Sequence, residues 1–229
     1  MSAKIAHELG NPIGIISGSV QFCLDSLPLS GEVRQHLEVV ARHAQNAGQI
    51  LRGMLRLARP EELRLEAMTP CEAVAQVTAM LNGRSVKRGA RFELEVPVGL
   101  PRIHAVRSHF EQILLNVFLN ALESVPDDGW IRVEAGYDAG ERIVTFDITD
   151  NGPGVPVQDL ERIFEPFCTT RPGGTGLGLS ICRDLLASYG GTISAKDAPR
   201  GTRFVIRFPA GAAEVAKSWQ PPPATPGLQ

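Results

Sequence analysis

Two ladders of apolar residues, each with steps alternating between three and four, constrain this chain more than any other feature. The first runs Ala6, Leu9, Ile13, Ile16, Val20, Cys23, Leu27; the second, after a break at Pro28-Leu29-Ser30-Gly31, runs Val33, Leu37, Val40, Ala44, Ala47, Leu51, Met54, Ala58. That rhythm lays one apolar stripe along each of two helices and predicts an antiparallel helical hairpin over residues 1–60. Alone, such a hairpin leaves a flank of each stripe in water, and pairing two hairpins into a four-helix bundle covers both. A homodimer therefore follows from the seams, with packing onto the rest of the same chain as the other way to cover them.

From Thr69 onward the pattern is mixed. It predicts a helix over Cys71 to Leu81 and a strand over Arg91 to Val96. A second helix is opened by the capping box Ser108-His109-Phe110-Glu111 and ended by Pro126. Strands follow at Trp130 to Ala135 and Ile143 to Thr149, the latter with Val144, Phe146 and Ile148 on one face. A glycine- and proline-rich stretch from Asn151 to Gly178 precedes a helix from Leu179 to Tyr189, stopped by Gly190-Gly191, and strands at Thr192 to Ala195 and Thr202 to Phe208. Residues 61–215 thus form a second domain, and 216–229, with four prolines after Trp219, have the composition of a disordered tail.

Composition narrows the classes of function. With 43% hydrophobic residues the chain can build a core, and 23 Lys and Arg against 25 Asp and Glu leave no positive excess for a nucleic acid partner. No apolar run approaches the roughly 20 residues of a membrane-spanning helix. Cys23, Cys71, Cys168 and Cys182 lie far apart without a C-x-x-C pair, and no leader pattern opens the chain, which reads as reduced and cytoplasmic.

Four segments carry candidate chemistry. His7-Glu8-Leu9-Gly10-Asn11-Pro12 places an imidazole one position past the seam, where it can act as a nucleophile with Glu8 accepting its proton, or be an ordinary surface histidine. Asn116 and Asn120, four apart, share a helix face beside the apolar ladder Phe110, Ile113, Leu114, Val117, Ala121; amide oxygens can ligate Mg²⁺ and amide NH₂ groups can meet phosphate, or both can be solvated. Asp150-Asn151-Gly152-Pro153-Gly154 puts a carboxylate at a strand end, where it can accept a purine's exocyclic amine, or is a plain turn. Arg171-Pro172-Gly173-Gly174-Thr175-Gly176-Leu177-Gly178-Leu179 frees successive N–H groups toward an anion at a helix start, or is a glycine loop with no ligand. Its spacing is neither the dinucleotide fingerprint nor a P-loop.

In their order the segments resemble the catalytic core of a two-component sensor histidine kinase. His7 to Pro12 is similar to the H-box, Asn116 to Ala121 to the N-box, Asp150 to Gly154 to the G1 box, Phe164-Glu165-Pro166-Phe167 to the F-box and Gly174 to Leu179 to the G2 box. The resemblance implies an α+β chain, with a dimeric phosphotransfer hairpin followed by a Bergerat-type α/β sandwich whose mixed sheet has helices on one face. It implies that His7 takes the γ-phosphoryl group of ATP, that Glu8 is its acid/base partner and that Asn11 positions water for dephosphorylation of a partner. Asn120 is then the Mg²⁺ ligand with Asn116 beside it, Asp150 holds adenine, Gly152 and Gly154 shape that pocket, and Thr202 of Gly201-Thr202-Arg203-Phe204 sits near the base. Residues Thr169, Thr170, Arg171, Gly174, Thr175, Gly176, Leu177 and Gly178 belong to the lid over the phosphates. The implied partner is the receiver domain of a response regulator, docking along Ile13, Gly14, Ser17, Gly18 and Gln21.

The chain departs from the family pattern at Cys168, where an aromatic residue is common, at Arg171, where lysine is common, and at Glu123, an acid where several relatives carry a base. An ATP-hydrolysing relative of the gyrase type is disfavoured, because such enzymes carry a glutamate where this chain has Asn116, and an amide cannot activate water. A non-catalytic dimeric scaffold is opposed by the intact His7, Asn120, Asp150 and G2 glycines.

Overall fold

The computed structural model describes residues 2–41, 44, 64–87, 89–169 and 176–211, with the backbone alone for residues 2–11, 17, 21, 84 and 87. The described residues fall into two compact units, one holding those up to residue 44 together with Thr169, the other residues 64–168 and 176–211.

In the first unit, α1 spans Ser2–Ser26, with Pro12 inside it, and α2 is helical over residues 31–41. Ser30 begins α2: its hydroxyl accepts the Val33 N–H at 3.4 Å and its carbonyl accepts that of Arg34 at 2.9 Å. Arg34 also donates through Nη2 to the Leu24 carbonyl at 3.2 Å, a cation meeting the unsatisfied C-terminal end of α1. Of the apolar ladders, Val20 and Ala44 are buried, as is Ala41 just off the second ladder, whereas Ile16, Leu27, Val33 and Val40 are exposed. The ladder residues beyond Ala44 lie outside the described residues.

The second unit is a five-stranded mixed sheet with helices on a single face, and a separate two-stranded sheet. Its elements are β1 (Glu66–Met68), α3 (Pro70–Lys87), β2 (Arg91–Glu95), β3 (Ile103–Ala105), α4 (Arg107–Ser124), β4 (Trp130–Asp138), β5 (Ile143–Asp150), α5 (Gly178–Ser188), β6 (Thr192–Asp197) and β7 (Thr202–Pro209). The order in the sheet is β2-β4-β5-β7-β6, with β2 parallel to β4 and every other pair antiparallel. β1 and β3 pair separately, and Ile103 bridges to Ala210. The sequence pattern predicts neither strand, because three residues are too short a run to establish a period.

Alternation on β5 is complete: Val144, Phe146, Ile148 and Asp150 point into the core and the residues between them do not. Against that face α4 buries Phe110, Ile113, Leu114, Val117, Phe118, Ala121 and Leu122, and Phe110 sits between the rings of Phe146 and Phe208 at 5.5 Å from each. On the open face Glu93 is held by Arg91 at 3.1 Å and Arg132 at 3.0 Å, and these two guanidiniums, Arg91 first, keep its carboxyl below the usual range.

The predicted capping box on α4 is not formed. The helix starts at Arg107 with Val106 as its cap residue and no side-chain cap, so Ser108 already lies within the helix, where its hydroxyl is not placed to close the first turn. The start is set from outside the segment: the Tyr189 hydroxyl, 83 residues away, accepts the Val106 N–H at 3.2 Å. The predicted helix at Cys71 to Leu81 is longer at both ends. Pro70 takes the first helical position, where its missing N–H costs nothing, and the C-terminal extension carries Ser85, whose hydroxyl meets the Ala90 carbonyl.

Candidate functional site

The site is built at the end of β5. Because side chains alternate, the rule that sends Ile148 inward sends Asp150 inward too, and its carboxylate is 2% exposed at the rim of an apolar core. A charge there needs hydrogen bonds. One is local: Oδ1 accepts the Gly152 N–H at 2.9 Å, a tight turn that folds the glycine segment back over the carboxylate. Asn151 fixes the turn from the other side, its Oδ1 accepting the Trp130 N–H at 2.8 Å.

Three glycines are required around this carboxylate. A Cβ on Gly152 would lie 2.8 Å from both Asp150 Oδ1 and the Ser124 carbonyl oxygen. Gly154, at φ +79, would meet the Gly201 carbonyl oxygen at 2.9 Å, and Gly201, also at φ +79, would meet the Asp150 carbonyl oxygen at 1.9 Å. The 150–154 turn and the β6–β7 turn are therefore pressed together backbone to backbone, and a cleft of about 410 Å³ runs between them, lined by 151–157 and 197–201. The sequence segments contain Asn151 and Gly201 but assign neither of them a role. The signal for Gly201 lay in its position just before Thr202, at a turn between two predicted strands.

Thr202 is 4% exposed, and the antiparallel register that sets Arg203 opposite Thr149 brings it level with Asp150. Asn116 and Asn120 are half-buried along one side of α4. Asn116 donates through Nδ2 to the Gly178 carbonyl at 3.0 Å, tying α4 to the first residue of α5. Beneath it lies Cys182, fully buried, its Sγ 3.7 Å from the Ile113 carbonyl oxygen; burial pushes its thiol up to about 12, with the Asn116 side chain pulling slightly the other way. That thiol is inert at neutral pH.

Of the glycine-rich segment, Thr169 is exposed and Gly176, Leu177 and Gly178 are half-buried, while Thr170, Arg171, Gly174 and Thr175 lie outside the described residues. Its two flanks are joined: the Phe167 N–H donates to the Gly176 carbonyl at 3.0 Å, with Gly176 at φ +64 and a Cβ there only 2.4 Å from the Phe167 carbonyl carbon. Phe167 itself is at φ +65, a conformation that costs a bulky residue about 1–2 kcal/mol, and it is 74% exposed. His7, Glu8 and Asn11 fall within α1, and the expected flank position of His7 lies outside the described side chains.

Comparison with known proteins matches both units to family models, in the order the sequence motifs gave. Residues 1–63 match the His Kinase A (phospho-acceptor) domain, and residues 105–212 match the histidine kinase-, DNA gyrase B- and HSP90-like ATPase domain. The chain belongs to the sensor histidine kinases, as their catalytic core. Sensor histidine kinase ZraS of Klebsiella oxytoca is 30% identical over 210 residues, which is 91% of this chain and 45% of that protein, so the chain spans about half the length of this relative. Full-length ShkA, solved in complex with AMPPNP, superposes with a TM-score of 0.69 at 28% identity, over 93% of this chain and 46% of that one. Histidine kinase ThkA, solved with the response regulator protein TrrA, superposes with a TM-score of 0.67 at 25% identity, over 92% of this chain and 61% of that one. Among the described residues no helix is long and apolar enough to cross a membrane.

Proposed function

We propose that this chain is an ATP-dependent protein-histidine kinase that phosphorylates itself on His7 and passes the phosphoryl group to an aspartate of a response-regulator receiver domain. The observation that carries the reading is the buried Asp150 under a cradle that only glycines fit, joined in one chain to a phospho-acceptor helix bearing H-E-L-G-N-P. The site fits a purine nucleotide: Asp150 would accept the exocyclic amine, Gly152, Gly154 and Thr202 would shape the pocket around the ring, and the backbone of Gly176, Leu177 and Gly178 at the start of α5 would face the phosphates. When bound, Mg²⁺ neutralises phosphate charge. Asn120 would be its protein ligand, with Asn116 beside it, and one or two protein oxygens suffice for this cation because phosphate and water supply the rest.

His7 attacks the γ-phosphorus through a ring nitrogen; that P–N bond forms as the bond to the bridging oxygen breaks, and Glu8 takes the ring proton. The receiver aspartate then attacks the same phosphorus and His7 leaves. Asn11, one helical turn beyond His7, positions water for the reverse duty, removal of phosphate from the regulator. Direct hydrolysis of ATP is opposed by Asn116, an amide with no basic lone pair, already engaged with Gly178. Pairing of two α1–α2 hairpins supplies the dimer.

The test is incubation with Mg²⁺ and ATP labelled on the γ-phosphate, beside the His7→Gln variant. Label that survives alkali, is lost in acid and is absent from the variant is the expected outcome. Label that survives acid, or persists in His7→Gln, refutes His7 as acceptor.

A further inference from the structure

Helices α4 and α5 are joined at three points in antiparallel register. At the site end, Asn116 donates to the Gly178 carbonyl at 3.0 Å; midway, Cys182 lies 3.7 Å from the Ile113 carbonyl oxygen; at the remote end, the Tyr189 hydroxyl bonds His109 Nδ1 at 2.7 Å and accepts the Val106 N–H at 3.2 Å. Tyr189 is 0% exposed and His109 is 7% exposed. The Tyr189 ring packs 5.4 Å from Phe208 and 6.0 Å, edge-on, from His109. Phenylalanine would fill that space, but it would set no register. A hydroxyl can accept from Val106 and donate to Nδ1 at once, and two bonds to the first turn of α4 fix both the slide and the rotation of α5.

We infer that Tyr189 and His109 are positioning residues for the nucleotide site. They lock α5 to α4 at the end away from the chemistry, so that Gly178, where the glycine segment enters α5, stays within reach of Asn116. The 11 residues of α5 make a strut of about 16 Å. A tilt of a few degrees at the Tyr189 end therefore moves Gly178 by about 1 Å, enough to break a 3.0 Å hydrogen bond. This inference rests on the nucleotide reading above, since it concerns how that pocket is held.

The test is calorimetric titration of the full chain with AMPPNP and Mg²⁺, well below the unfolding temperature. Tyr189→Phe keeps the ring and removes the bonds, and should raise the dissociation constant about 5-fold. Combined with Asn116→Ala it should raise it by clearly less than the product of the two single effects, because both act through one junction. Val144→Ala, a buried change at the opposite end of β5 from Asp150, controls for lost stability and should leave affinity unchanged. Unchanged affinity in Tyr189→Phe, or fully multiplicative effects, would overturn the positioning role while leaving the nucleotide reading intact. No binding by the unaltered chain would overturn both.

Discussion

Gly201 is the residue on which the pocket closes most tightly. Its φ of +79 and the 1.9 Å between a Cβ placed there and the Asp150 carbonyl oxygen leave an added methyl group no relaxed position, since what it meets is backbone. Gly201→Ala should lower stability by about 3 kcal/mol in denaturant unfolding and abolish AMPPNP binding even in the fraction that folds. Cys182 makes a prediction about pH. Its thiol titrates at about 12 in the folded chain against 9.0 in the open chain, so between those values the folded state holds a proton that the unfolded state has lost. Stability therefore falls as pH rises above about 9, by about 1.4 kcal/mol per pH unit from this group. Cys182→Ala should be less stable at pH 7 but lose less between pH 9 and pH 11, measured as the urea midpoint at each pH. An unchanged alkaline slope would show that this thiol does not set it.

At the scale of the element, two serines separate a cap from its imitation. Ser30 accepts the Val33 N–H at the start of α2, and Ser30→Ala should cost about 1 kcal/mol. Ser108 has the same kind of signature in sequence but sits inside α4, so Ser108→Ala should change stability by less than about 0.5 kcal/mol. Thermal unfolding of the two variants checks the pair, and equal losses would contradict the assigned helix starts. The contrast shows what was legible. The sequence marks Ser30 only as part of the Pro28-Leu29-Ser30-Gly31 break, but the cap it forms there joins residues three apart, a local matter. The start of α4 is decided by Tyr189 from across the fold, which no window around Ser108 contains. The same division holds in the site. Alternation along β5 was readable, and it carries Asp150 inward. That Gly201 presses on Asp150, and that Asn116 turns to Gly178, depends on β7 and α5 coming to rest beside them, a matter of tertiary register.

Across the whole molecule, the apolar stripes of α1 and α2 ask for a partner. Four ladder residues remain nearly half exposed, Ile16 at 47%, Leu27 at 45%, Val33 at 46% and Val40 at 43%, beside a short buried seam of Val20, Ala41 and Ala44. Covering one such side chain fully stabilises by about 1.5–3 kcal/mol, so half-covering four per chain is a driving force for the proposed dimer through this seam. Phe22 at 64% and Ile15 at 69% are also exposed, but they stand one heptad apart and off the ladder, on the helix that bears His7. The two groups should behave differently. Ile16→Glu with Val40→Glu buries charge in the seam and should convert the sedimenting species from dimer to monomer, while AMPPNP affinity, a property of the second unit, stays within about 2-fold of the parent. Phe22→Ala should leave the dimer intact and slow phosphoryl transfer to a receiver, because its face is the one left open once the seam is covered. A dimer that survives both ladder substitutions, or one that dissociates on Phe22→Ala, would move the interface to the other face of α1 and take the receiver surface with it.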